Sequence, residues 1–140
     1  MKLTRTMIDS IAGTTAMTLL SYYISDKKNR NYSEPELLAA MVRKRAPGLS
    51  KKAALTAGWG MHYAIGIGMM AAFRGISKKG GLARPLIYGV AGGLLGIAAW
   101  KAMFKKHPNP PSADRSGFYK QLLPAHIVFC LPLLWDDHEK

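Results

Sequence analysis

Four stretches of this chain are almost free of charge, and each is close to the length of a membrane-crossing helix. Residues 53–73 contain no Asp, Glu, Lys or Arg, and the same holds for 85–100 and 121–135. Between residues 6 and 25 the one charged side chain is Asp9. A bilayer core about 30 Å thick takes roughly 17–25 mostly apolar helical residues. The chain has 140 residues and a formal charge of +12, so its charges are crowded into the connections. Such segregation is foreign to soluble amphipathic helices and to disordered chains. The pattern predicts an all-α integral membrane bundle in one domain, with spans at about 6–25, 53–73, 85–104 and 118–135.

The second span, AALTAGWGMHYAIGIGMMAAF, is the best defined, with Lys51 and Lys52 before it and Arg74 after it. The first is the weakest, because of Asp9 and several hydroxyls. Asp9 also interrupts the apolar run that a cleavable signal peptide would need. In the fourth, Pro124 and Pro132 are each expected to bend the helix. Basic residues set the orientation. Thirteen of the 20 fall in or beside the connections after the first and third spans, against seven elsewhere. This bias predicts both termini on the outer side of the membrane and the two long connections in the cytoplasm.

Between the first two spans, SEPELLAAMVRKRA reads as a short amphipathic helix. Ser33 and Glu36 have capping-box spacing, and Ala46-Pro47-Gly48 ends it. With Leu37, Leu38, Met41 and Val42 on one side, it is expected to lie on the cytoplasmic surface. Arg43, Lys44, Arg45, Lys51 and Lys52 would then contact anionic lipid headgroups. No groove-reading motif or aromatic-basic platform accompanies the charge, so nucleic acid is not an expected partner. The loop HPNPPSADRSG is rich in turn residues, and Ser116 is a candidate cap for the fourth span.

Eight of the 14 glycines lie in the second and third spans. Gly58, His62 and Gly66 share one face, and Gly60, Ala64 and Gly68 another. Gly89/Gly93 and Gly92/Gly96 form two GxxxG pairs, and Gly13 sits beside Ala12 and Ala16 in the first span. Small residues let membrane helices approach closely. Asp9 shares a face with Gly13 and reads as a helix-start cap or a proton site. His62 and His126 come at matched depth, about 12–14 Å from the cytoplasmic end at 1.5 Å per residue. That pair is open to three readings: hydrogen-bonded packing, proton relay, or the shared ligation of a metal or haem. Cys130 is the only cysteine, which excludes an internal disulfide and reads as an apolar filler. His107 and His138 lie in a loop and in the tail, where imidazoles are usually solvated.

The order GWGMHYAIGIGMMAAF, LIYGVAGGLLGIAAW, HPNPP and FYKQLLPAHIVF resembles the YagU-like uncharacterised bacterial inner-membrane proteins, over about residues 53–135. The resemblance implies a multi-span helical membrane protein with no established catalytic role, and sets His62 and His126 at that family's span histidines. This chain is shorter, and its first connection is more basic. The leading functional expectation is a non-enzymatic accessory or scaffold subunit without a cofactor, whose partners are lipids and other membrane subunits or further copies of itself. The alternatives are cofactor binding or proton handling at His62 and His126, and a small transporter.

Overall fold

The first three charge-poor runs each lie within one long helix, and the fourth is divided between a helix and a 3₁₀ stretch. The computed structural model describes residues 3–77 and 81–138, with side chains as far as Trp135. Among these residues there is no strand. The order is α1 (Leu3–Lys28), α2 (Glu34–Arg45), α3 (Lys51–Ile76), α4 (Ala83–Lys106) and α5 (Arg115–Cys130), followed by a 3₁₀ stretch, Leu131–His138. Lys2, Lys78, Lys79 and Lys140, which entered the charge count, lie outside the described residues. So do the side chains of the tail DDHEK, His138 included.

Two segments, Ala83–Lys106 and Arg115–Trp135, are long and apolar enough to cross a membrane. The run expected to be the best-defined span, 53–73, is not one of them. It lacks charge, but Gly, Trp, Tyr, Thr and His dilute its hydropathy, and freedom from charge is not the same as oiliness. In α1 the hydroxyls do the same. The last segment is not one continuous α-helix. Pro124 is accommodated within α5, whereas Pro132 coincides with the change to 3₁₀ geometry, begun where Leu131 N–H bonds Val128 O three residues back. Proline has no N–H to continue the α pattern.

α1 runs antiparallel to α3 and to α5, and α4 runs antiparallel to α5. Pairs such as Thr18–His62, Ser21–Gln121 and Trp100–Phe118 mark the registers. α2 departs from expectation. Instead of lying on a surface, it is packed into the bundle: Leu37, Leu38 and Met41 share a buried cluster with Trp100, Phe104, Phe118 and Leu122. The connection after α1 turns back to bring it there. Asn29 takes a left-handed φ of 48°, Arg30 N–H bonds Ser25 O, and Tyr32 N–H bonds the Ser25 hydroxyl. The N-terminus of α2 therefore begins inside the bundle, and only its basic C-terminal turn, Arg43, Lys44 and Arg45, is exposed. The expected capping box does not form. The buried Ser33 hydroxyl has no partner, and Glu36 instead accepts from Tyr22 Oη at 2.9 Å. Ser116 does not cap α5 either, because Asp114 accepts from Gly117 N–H in that role.

α1 is inverted relative to a helix in water. Its buried side chains are Thr6, Asp9, Ser10, Thr14, Met17, Thr18 and Ser21, while Leu3, Met7, Ile8, Ile11 and Leu19 are exposed. The hydroxyls recur every three or four residues, so they form one polar stripe. Of the small residues expected on this face, Gly13 is buried, but Ala12 is exposed. The outer face of α4 is apolar as well, with Leu86, Ile87, Leu94 and Leu95 all exposed.

Candidate functional site: a polar cavity between two histidines

Glycine placement shapes the interior. A methyl group on Gly89 would strike the Ile127 backbone, and one on Gly93 would come within 2.9 Å of the Leu123 side chain, so this first GxxxG pair seats α5 directly against α4. The second pair has another task. Methyls on Gly92 and Gly96 would stand 3.3 and 3.1 Å from the His126 ring, so these glycines make room for the imidazole. Gly13 abuts the carbonyl of Phe129, Gly66 abuts the Thr14 hydroxyl, and Gly58 abuts the α2 backbone at Pro35 and Ala39. All seven glycines expected to mediate packing are close against a neighbour. Gly60 and Gly68, on the other face of α3, have nothing within 4 Å.

The two histidines arrive at one place. His62 and His126 are 6% and 4% exposed, and both line a small, partly open cavity with Thr14, Gly66 and Glu34. Hydrogen bonding fixes the protons on both rings. The Thr18 hydroxyl donates its single proton to Thr14 O at 2.7 Å. Its 2.9 Å contact with His62 is therefore one in which Nε2–H of the ring donates. His126 Nδ1 lies 2.8 Å from Leu122 O, and since a carbonyl only accepts, Nδ1–H donates. A neutral ring at each position keeps the opposite nitrogen, Nδ1 of His62 and Nε2 of His126, as an acceptor with no hydrogen bond among the described residues.

Glu34 is the residue that sequence reasoning missed. It opens α2, where the helix N-terminus favours negative charge. Trp100 Nε1–H holds one of its oxygens at 2.9 Å. The other oxygen, Oε1, is buried with no partner, and so is the Thr14 hydroxyl. Both residues line the histidine cavity. A buried polar atom left unpaired costs about 1–3 kcal/mol, so two beside one cavity are a functional signal. The cavity encloses about 20 Å³. About one water molecule fits such a volume, far below the roughly 300 Å³ or more of a pocket for an organic cofactor. A haem does not fit it. Among the described residues no three His, Cys, Asp or Glu side chains stand close enough to hold a metal ion.

The remaining candidates are placed elsewhere. Asp9 is neither a cap nor near the histidines, since α1 begins at Leu3 and Asp9 lies in its second turn. It is buried between Arg5 and Arg74, at 2.7 and 2.5 Å. Arg74 also donates to the Thr6 hydroxyl. Arg43, Lys44, Arg45, Lys51 and Lys52 are all exposed at one end of the bundle. His107 is not simply solvated: Nε2–H donates to Met41 O at 2.9 Å, and Nδ1 accepts from Asn109 N–H. Cys130 is buried and free, as expected of a filler. Separately from the cavity, the Ser21 hydroxyl donates to Gln121 Oε1, the Gln121 amide donates to the Tyr32 carbonyl, and the Tyr32 hydroxyl donates to Asp114 at 2.5 Å. That bond holds the Asp114 carboxyl below the usual aspartate range and pushes the Tyr32 phenol up.

No family model, curated protein or solved structure matches this chain.

Proposed function

We propose that this chain is a four-span bacterial inner-membrane protein, with both termini periplasmic, that handles protons at the His62–His126–Glu34 cavity. In this reading it is not an enzyme, and we place it beside the YagU-like proteins. One observation carries the proton reading. Two bare imidazole nitrogens, an unpaired carboxylate oxygen and an unpaired hydroxyl belong to residues that line a cavity of single-water size. A proton entering there finds acceptors in every direction, and each can pass it on by a change of tautomer or a turn of a hydroxyl. The membrane setting rests on the inverted burial in α1, where hydroxyls face in and Ile and Leu face out. Water would favour the opposite arrangement, and lipid favours this one. Charge use points the same way. At one end Arg43, Lys44, Arg45, Lys51, Lys52, Lys105 and Lys106 are exposed, while at the other Arg5 and Arg74 are engaged with Asp9.

The test is proton flux into liposomes under an imposed potassium diffusion potential, read with an enclosed pH dye. The reconstituted chain is expected to acidify the lumen faster than empty vesicles do. Glu34→Gln and His126→Gln, each close in shape to the original, are expected to lower the rate about tenfold or more. A wild-type rate equal to that of empty vesicles overturns the proton reading.

A second reading, the accessory or scaffold subunit, draws on the stripe of Gly60, Ala64 and Gly68. It is exposed on α3, Gly60 and Gly68 have nothing within 4 Å among the described residues, and helices of a partner or of a second copy dock on stripes of this kind. A stoichiometric partner retained in mild detergent, together with no proton flux, would favour it.

A further inference from the structure

We propose that the cleft between the C-terminal ends of α2 and α4 binds one anionic phospholipid. The inference rests on the membrane setting above and is independent of proton handling. The cleft has a volume of about 640 Å³, within the range of small-molecule pockets. Its walls are apolar: Leu38 and Val42 from α2, Met61 from α3 and Met103 from α4. Its rim is cationic, with Arg45 ending α2 and Lys106 ending α4, both exposed. Among the described residues neither forms an ion pair, and no acidic side chain lines the cleft. His107 ties the loop after α4 to Met41 O, so the cleft is bounded by a fixed contact and is not a chance gap between helix ends.

Charge complementarity selects the occupant. Apolar walls below two unpaired cations, at the basic end of the bundle, match acyl chain below and anionic phosphate above. A partner helix would bring apolar surface to the walls but no anion for Arg45 and Lys106. A zwitterionic lipid would fill the walls but offer no net negative charge to the rim.

The experiment is native mass spectrometry of the full chain in detergent, titrated with phosphatidylglycerol or phosphatidylethanolamine. One phosphatidylglycerol is expected to stay bound where phosphatidylethanolamine is lost. The double variant Arg45→Gln/Lys106→Gln is expected to weaken retention about tenfold or more, in line with the loss of two headgroup cations. Val42→Trp fills the cleft while leaving both cations, and is expected to abolish retention. Lys27→Gln/Lys28→Gln removes the same charge elsewhere and is expected to change nothing. Equal retention of the two lipids, no effect of the double variant, or an equal effect of the Lys27/Lys28 control overturns the proposal. Alkaline extraction of native membranes keeps the two ideas apart. A chain that washes out overturns the membrane setting, whereas one that stays in the membrane but shows no lipid preference overturns the lipid site alone.

Discussion

Along the α4–α5 seam, Gly89 and Gly93 let backbone meet backbone, and what fills the contact is Ile127 and Leu123. Along α1 the seams are polar: the Thr6 hydroxyl meets Arg74, Thr18 meets His62 and Ser21 meets Gln121. At Gly89 and Gly93 the first seam gains from dispersion between closely approaching helices and presents side chains with no polar atom to satisfy, unlike its neighbouring stretch where Gly92 and Gly96 face the His126 ring. The second must satisfy every donor and acceptor it buries. Several of its hydroxyls do so by bonding carbonyls on their own helix, as Ser10, Thr18 and Ser25 do. Thr14 does not, and it lies at the histidine cavity. A polar seam is therefore where function can be sited, because one unsatisfied position in it acts as a receptor, whereas a gap in the glycine seam would only be a void.

The largest effect is expected where the polar seam is clamped by charge. Asp9→Leu would remove the buried carboxylate that Arg5 and Arg74 share, and breaking a buried pair of this kind costs about 3–5 kcal/mol. Unfolding followed by SDS titration in mild detergent should show the loss, and Asp9→Glu should recover part of it. A change below 1 kcal/mol would mean that the outer end of α1 is far more hydrated than its burial indicates.

The next effect belongs to the glycine seam. Gly89→Ala places a methyl against the Ile127 backbone, which cannot turn aside as a side chain can. Overpacking of this kind costs about 1–3 kcal/mol. The same assay should place this variant between wild type and Asp9→Leu. Gly96→Ala, which meets the His126 ring rather than backbone, should be milder for stability and more damaging to proton flux.

How much of this was legible in the sequence depends on which seam is considered. Glycine spacing announced a close helix contact for α4 without naming α5 as the partner, because a four-residue repeat of a residue without a side chain has few other uses in an apolar helix. The shared depth of His62 and His126 also followed from counting residues along helices of known rise. Glu34 did not follow. It lies outside every apolar run, and it reaches the cavity because the connection at Asn29 turns back and drives the start of α2 into the bundle. The stripe of Leu37, Leu38 and Met41 signalled burial but could not say whether lipid or protein would cover it. Likewise, the four-residue spacing of Thr6, Ser10, Thr14 and Thr18 was visible, yet which face it took depended on α3 and α5.

A smaller, pH-dependent effect is expected at the lower end of the polar seam. Asp114 is depressed chiefly by the bond from Tyr32. A carboxyl with a folded-state pKa below its unfolded value of about 3.9 contributes stability above that value and loses it as the pH falls through the folded one. Asp114→Asn should therefore melt below wild type at pH 7. The two should converge as the pH falls below the folded-state value, where both carry a neutral side chain. A gap that persists unchanged at low pH would assign the contribution to the fit of the carboxyl against Tyr32 and not to ionisation, because asparagine also supplies the cap on Gly117.

The smallest expected effect separates a seam that is used from one that is merely available. Gly60→Ala adds a methyl where nothing lies within 4 Å, so strain is absent, and alanine favours the helix by up to about 1 kcal/mol. Stability should be unchanged or slightly raised, in contrast to Gly89→Ala one helix away. Gly60→Leu sharpens the contrast, since its Cβ too meets open space while its longer side chain would block close approach by another helix. If the isolated chain tolerates it and a co-purifying partner is lost, the Gly60–Ala64–Gly68 face is a docking seam built on the same principle as α4–α5. If the partner stays, that face meets lipid, and its small residues serve only to keep α3 smooth.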